Sequence, residues 1–152
     1  MVNLSGDHVA ALGMVDRLLR QAEEPWWVIA GAAVALHASE PLAVDDIDIL
    51  LSMRDVGLIA DLPDIVRKDG DGDKLFRSAY YASLSTGAVD IEFMAGFERY
   101  SRDGWQPVRP RSRVFVDVAG LAIPTPDRWE LVEMLLAFGR PKDLQRVRLL
   151  GG

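Results

Sequence analysis

Cysteine is absent from the 152-residue chain, which excludes disulfide scaffolds, zinc–cysteine sites and thiol nucleophiles. Long apolar runs are missing too. The longest candidate, residues 26–37, is broken by small residues and ends on a histidine. It falls short of the ~20 apolar residues a spanning helix needs, so a transmembrane protein is excluded. The opening segment MVNLSGDHVA has no basic stretch and meets Asp7 and His8 before any apolar block. No secretory leader is expected from it, and the cytoplasm is the expected compartment. Basic charge is scarce: 17 Lys and Arg face 23 Asp and Glu, for a net charge of −6. An acidic chain is a poor candidate for non-specific duplex DNA binding, which depends on neutralising many phosphates at once.

What is present is apolar material, 49% of the residues. A chain of this length buries ~70% of its unfolded surface, enough for one domain with its own core over residues 1–152. Charge is segregated along the chain. Residues 1–98 hold 7 basic and 17 acidic residues, whereas residues 99–152 hold 10 and 6. A basic surface opposite an acidic one suits a metal–phosphate ligand better than a DNA groove.

Ser5 is placed to cap a helix whose Val9, Leu12, Val15, Leu19 and Ala22 share one face, with Glu23, Glu24 and Pro25 closing the segment. Residues 26–30 read as a short buried strand, and Gly31 opens an alanine-rich helix through Ala38. Ile47 to Ser52 form a second strand flanked by Asp45, Asp46 and Asp48. A short helix and then a loop are expected over 54–73. Leu75–Leu84 and Val89–Met94 read as a hairpin turning at Gly87. Short strands follow at 113–118 and 121–123. Thr125 is expected to cap a helix running from Pro126 to Phe138 and ended by Gly139, and Pro141 restarts a last helix to Leu150.

The informative feature is Asp46 and Asp48 at i, i+2 on a predicted strand, because period two sends both carboxylates out of one face. Such a pair repels unless a cation sits between. Mg2+ is commonly held by one or two carboxylates plus substrate phosphates, so the spacing is half of a metal site; an isolated D-x-D is also read as a solvated strand end. Gly31 begins a helix fifteen residues earlier, where exposed amides could receive a phosphate. Asp90 and Glu92 alternate with Val89, Ile91 and Phe93, so both acids share a face of a later strand. Asp90 is thereby a candidate third carboxylate, while Glu92 reads as solvated.

These segments, VIAGAAVALH at 28–37, DDIDILLS at 45–52, VDIEFM at 89–94 and IPTPDRWELVEMLLAFGRPKDLQRV at 123–147, together resemble the nucleotidyltransferase superfamily that shares its fold with DNA polymerase beta. Within it they look closest to the small bacterial abortive-infection and toxin-like nucleotidyltransferases. The resemblance implies an α+β fold: a short twisted mixed β-sheet with helices packed on one face and a C-terminal helical segment. It also implies that Asp46, Asp48 and Asp90 hold two Mg2+ ions, with Asp90 accepting the acceptor's proton. A nucleoside triphosphate would be gripped at Ala30, Gly31 and Ala32 and by Arg140 and Lys142. A nucleoside monophosphate would pass to an acceptor, whether small molecule, protein or RNA. The chain departs from the pattern at its phosphate turn, where Ala30 or Ala32 stands for a small glycine-like residue, and at Leu42 and Val44, where relatives often carry polar groups. The alternative reading is a degenerate member that binds a nucleotide or a protein, such as an antitoxin-like partner in a toxin–antitoxin or phage-defence pair.

Other residues read as structural. His37 lies on the alanine-rich helix and is expected to pack or cap. Asp69–Asp73 imitates a calcium loop but has Lys74 at its sixth position and Tyr80 at its twelfth, which excludes it. Trp26, Trp27, Trp105 and Trp129 are expected in the core. Arg99, Arg102, Arg109, Arg111 and Arg113 are expected to face solvent.

Overall fold

The computed structural model describes residues 4–68 and 74–152. The chain runs α1 (Gly6–Leu18), β1 (Trp27–Ile29), α2 (Ala30–His37), β2 (Asp46–Leu51), α3 (Gly57–Ala60), β3 (Ile65–Arg67), β4 (Phe76–Arg77) and β5 (Tyr80–Ser85). It continues β6 (Asp90–Ala95), β7 (Glu98–Ser101), β8 (Gly104–Pro107), β9 (Val114–Val118), β10 (Leu121–Thr125), α4 (Arg128–Phe138) and α5 (Pro141–Leu149). Ser5 caps α1, its hydroxyl accepting from the His8 amide. Residues 69–73, the calcium-loop mimic, lie outside the described residues.

The central sheet has the order β1-β2-β6-β5-β3 and is mixed, since β2 and β6 run parallel while the other neighbours are antiparallel. One face is apolar except for Arg67 at the β3 edge. Ile47 and Ile49 of β2, Ile91 and Phe93 of β6 and Ala82 of β5 are fully excluded from water, and α1 and α2 pack against β2. Alternation then forces the polar residues of β2 and β6 onto the opposite face.

Several expectations change. The strand expected over 75–84 breaks after Arg77. Its first part, β4, joins β7 and β8 in a separate three-stranded sheet, while β5 stays in the main sheet. Residues 54–73 are not helix and loop alone, because Ile65–Arg67 pairs antiparallel with β5 as an edge strand. The cap of α4 is Asp127, whose carboxylate accepts from the Glu130 amide. Thr125 instead ends β10, fully buried. Trp26 and Trp27 are core residues as expected, but Trp129 is exposed on α4. Arg113 is half-buried rather than solvated, donating to the Trp26 carbonyl.

Candidate functional site

Parallel pairing of β2 with β6 sets Asp46 beside Asp90 and Asp48 beside Glu92. Side-by-side residues share a sheet face, so four acids of two strands stand in two rows on the face opposite α1 and α2. The rows differ in depth. Asp90 is exposed at the head of β6, whereas Glu92, one pleat further on between β2 and β5, is buried. The expectation of a solvated Glu92 is therefore corrected: strand parity gives a residue's face, but its position between two neighbouring strands gives its burial. Its Oε1 is 3.2 Å from Lys68 Nζ, and its buried Oε2 has no hydrogen-bond partner.

Asp48 feels this crowding. Burial first, then the charges of Asp46 and Glu92, raise its pKa to about 7, against the opposing pull of Arg146 and Lys142. The same field acts on Tyr81, whose phenol is pushed up to about 12 by burial and by Glu92, Asp48 and Asp46. Carboxylates forced together in this way favour a cation that would neutralise them. Hard oxygen donors in a pair, with space above for phosphate oxygens, fit Mg2+ better than a softer ion. Among the described residues no three His, Asp or Glu side chains converge as a ready-made metal cage; Asp46 and Asp48 are a crowded pair at the cavity surface.

Above Asp46 and Asp48 opens a cavity of about 430 Å3. Its opposite wall is cationic, formed by Arg140, Lys142 and Arg146 of the C-terminal segment and Arg77 of β4. Lys142 and Arg146 are four residues apart on α5, which puts them on one helix face. Arg140 is fixed from behind: Nε and Nη2 donate to the two oxygens of the fully buried Asp143, at 2.6 and 3.1 Å. Its guanidinium also lies 4.9 Å from the centre of the Phe76 ring, inside a cluster with Phe97 and Phe138.

The turn between β1 and α2 closes the cavity. Ala30 lines it and takes φ +56, a left-handed conformation that costs an L-residue ~1–2 kcal/mol. Gly31 does not reach the cavity surface. It makes room for the Arg146 guanidinium, since a Cβ there would lie 2.8 Å from Nη2 and 3.1 Å from Cζ. Ala32 is buried in the core.

Thus Asp46, Asp48, Ala30, Arg140 and Lys142 line one cavity, Gly31 stands behind it, and Asp90 and Ala32 lie outside its lining. Arg146, Arg77 and Tyr81 are cavity residues that the sequence reading passed over. Of these only Arg146 carried a readable signal, its i+4 spacing from Lys142. His37 is structural, as expected: Nε2 lies 2.7 Å from Thr125 Oγ1 and 3.0 Å from the Pro126 carbonyl, and burial lowers its pKa.

No protein-family model matches the chain, and the search of curated proteins gives no match. Solved structures do match. A candidate nucleotidyltransferase from Thermotoga maritima superposes with TM-score 0.74 at 19% identity, covering 97% of this chain and 93% of that one. The lincosamide antibiotic adenylyltransferase LnuA, solved with lincomycin bound, gives 0.63 at 13% identity over 99% and 98% of the two chains. ANT(2″)-Ia in complex with adenylyl-2″-tobramycin gives 0.61 at 13% identity over 95% and 87%. At these identities the likeness shows a shared architecture: the chain has the nucleotidyltransferase fold. Among the described residues no helix is long and apolar enough to cross a membrane.

Proposed function

We propose that the protein transfers a nucleoside monophosphate from a nucleoside triphosphate to an acceptor hydroxyl, with Mg2+ as cofactor. The observation that carries this reading is the pairing, across one cavity, of Asp46 and Asp48 with Arg140, Lys142 and Arg146. Two carboxylates that need a cation share the cavity with Lys142 and Arg146, Arg140 being already held by Asp143, and a metal-bound polyphosphate satisfies both.

In this reading Asp46 and Asp48 would hold the Mg2+, with Asp90 beside Asp46 on the next strand but outside the cavity lining. When bound, the metal supplies charge neutralisation at the attacking and leaving oxygens. Lys142 and Arg146 orient the β- and γ-phosphates, and Arg140, clamped by Asp143, borders the nucleoside. The acceptor oxygen forms a bond to the α-phosphorus, whose bond to the bridging oxygen breaks, and pyrophosphate leaves with that electron pair. The hydroxyl proton passes to solvent water. The reaction asks the protein mainly for positioning and charge. The folds of LnuA and ANT(2″)-Ia, whose structures hold lincomycin and an adenylylated tobramycin, support small hydroxylated molecules as the acceptor class.

The test is calorimetric titration of wild type and Asp46→Ala with Mg2+ and each of the four ribonucleoside triphosphates, followed by pyrophosphate release. Binding in wild type that is lost in Asp46→Ala supports the reading. Binding or release that survives Asp46→Ala excludes this cavity as the site.

A further inference from the structure

We propose that a second cavity, further along the same sheet face, is the acceptor site and takes an uncharged small molecule with an apolar face and a free hydroxyl. The proposal rests on the reading of Asp46 and Asp48 as the reacting centre and adds where the second substrate sits and what chemistry it has.

The strand registers carry the argument. The second cavity, about 480 Å3, is lined by Trp27, Leu50, Ala79 and Gly96. Each of these is two residues along its chain from a residue of the first cavity: Trp27 from Ile29, Leu50 from Asp48, Ala79 from Tyr81 and Gly96 from Met94. A shift of two residues in a strand keeps the face and advances about 6.6 Å, as for Trp27 in β1 and Leu50 in β2, while Ala79 and Gly96 sit one residue beyond the ends of β5 and β6. Four chain segments make the same shift in step, since Trp27 pairs with Leu50, Leu50 with Met94, and Met94 with Tyr81, while the Ala79 amide donates to the Gly96 carbonyl. The two cavities are therefore successive stations on one surface, and Phe97 lines both.

Their chemistry differs. The first is lined by two acids and by Lys142 and Arg146, besides Arg77 and Arg140 that Glu98 and Asp143 hold, and suits a metal-bound polyphosphate, with the Phe76–Phe97–Phe138 cluster beside Arg140 for the rest of a nucleotide. The second is largely apolar, its floor built from buried Trp27 and Leu50. Its acid, Glu98, accepts from Arg77 Nε at 2.7 Å and is already neutralised. Its one cation is the exposed Arg109, so a polyphosphate finds little matching charge there, whereas an apolar body finds most of the wall. The volume lies within the ~300–1,000 Å3 typical of small-molecule sites. A ligand over Leu50 reaches Asp48 by extending one pleat, so a terminal hydroxyl meets the reacting centre from the side away from α5.

The test uses 2-(2-naphthyl)ethanol as the probe and the α,β-methylene analogue of ATP with Mg2+ as the nucleotide, on full-length protein labelled at Leu and Val methyls. The probe is expected to shift the Leu50, Leu51 and Val108 methyls with or without the analogue. Met53→Trp and Val108→Trp, both at cavity positions outside the buried floor, should each weaken the probe at least tenfold and the analogue less than twofold. Two results overturn the proposal: cavity methyls that ignore millimolar probe, or variants that weaken the analogue tenfold, which would assign the cavity to the nucleoside. An analogue that binds nowhere, in a protein whose cavity still takes the probe, overturns the nucleotide reading and the acceptor role with it; the retained methyl shifts distinguish that failure from failure of the cavity itself.

Discussion

The guanidinium of Arg146 rests on Gly31, at a spot where any Cβ would come within 2.8 Å of Nη2. The glycine's contribution to the cavity is thus to admit a cation from α5 to the start of α2. Gly31→Ala is expected to push Arg146 aside and leave the fold intact, because the obstructing atoms are the far end of a flexible side chain. Losing a charge-assisted contact costs ~1.5–3 kcal/mol, and displacement forfeits part of that. Calorimetry with Mg2+ and ATP should show about a tenfold weaker Kd with an unchanged melting temperature. Unchanged affinity would mean that Arg146 does not hold phosphate.

Ala30 sits in the left-handed region, so replacing it should help. Ala30→Gly removes ~1–2 kcal/mol of strain and adds some unfolded-state entropy, for a net gain of about 1 kcal/mol. In a chain of this size that is a rise of roughly 2–4 °C in Tm. Nucleotide binding should tighten as the methyl leaves the cavity wall. A lower Tm by differential scanning calorimetry would show that the turn is not strained.

Asp48 titrates near pH 7 in the folded chain against 3.8 ordinarily. The folded state therefore holds a proton that the unfolded state has released, and this contribution to stability is lost as pH rises from about 4 through about 7. Asp48→Asn is expected to raise the metal-free Tm at pH 8 and to change it little at pH 5, where Asp48 is already neutral. Wild type should gain Tm on adding Mg2+ at pH 8, and the variant should lose that gain. Thermal melts at the two pH values, with and without Mg2+ in excess, check all three outcomes.

His37 works in the opposite direction. Burial lowers its pKa from 6.5, so the folded state resists protonation and stability falls as pH drops below 6.5 through the folded value. The His37 ring resonances in an NMR titration should move below pH 6.5, and amide exchange near Thr125 and Pro126 should quicken over the same interval. A midpoint at or above 6.5 contradicts the buried geometry.

Much of this arrangement can be read from the sequence, and the failures have physical causes. Asp46 and Asp48 were legible because alternation fixes a face without further knowledge. Glu92 was misread because depth depends on which strands lie to either side, and a sequence does not state that β6 is flanked by β2 and β5. The β4-β7-β8 sheet left no trace, its strands being two to four residues long and too short for a period to show. Arg77 was hidden with it. Ala30 was recognised as standing where a glycine would, but that it occupies a left-handed conformation is a property of the turn and not of alanine. The clamp of Asp143 on Arg140 is local and was within reach, being three residues apart at the start of a helix.

The order of the chain has a consequence for synthesis. Asp46 and Asp48 meet Asp90 and Glu92 only when β6 docks beside β2, some forty residues after β2 has been made, and Lys142 and Arg146 belong to the last helix. A chain emerging from the ribosome gathers its acids first and receives the cations that face them last. Until α5 docks, the acid face has neither Lys142 nor Arg146 beside it, and beyond the one pairing of Lys68 with Glu92 its repulsion is relieved by protons or by free divalent ions. The ion that the finished cavity fits would therefore also speed the final folding step, so that refolding rate, and not only melting temperature, should depend on Mg2+.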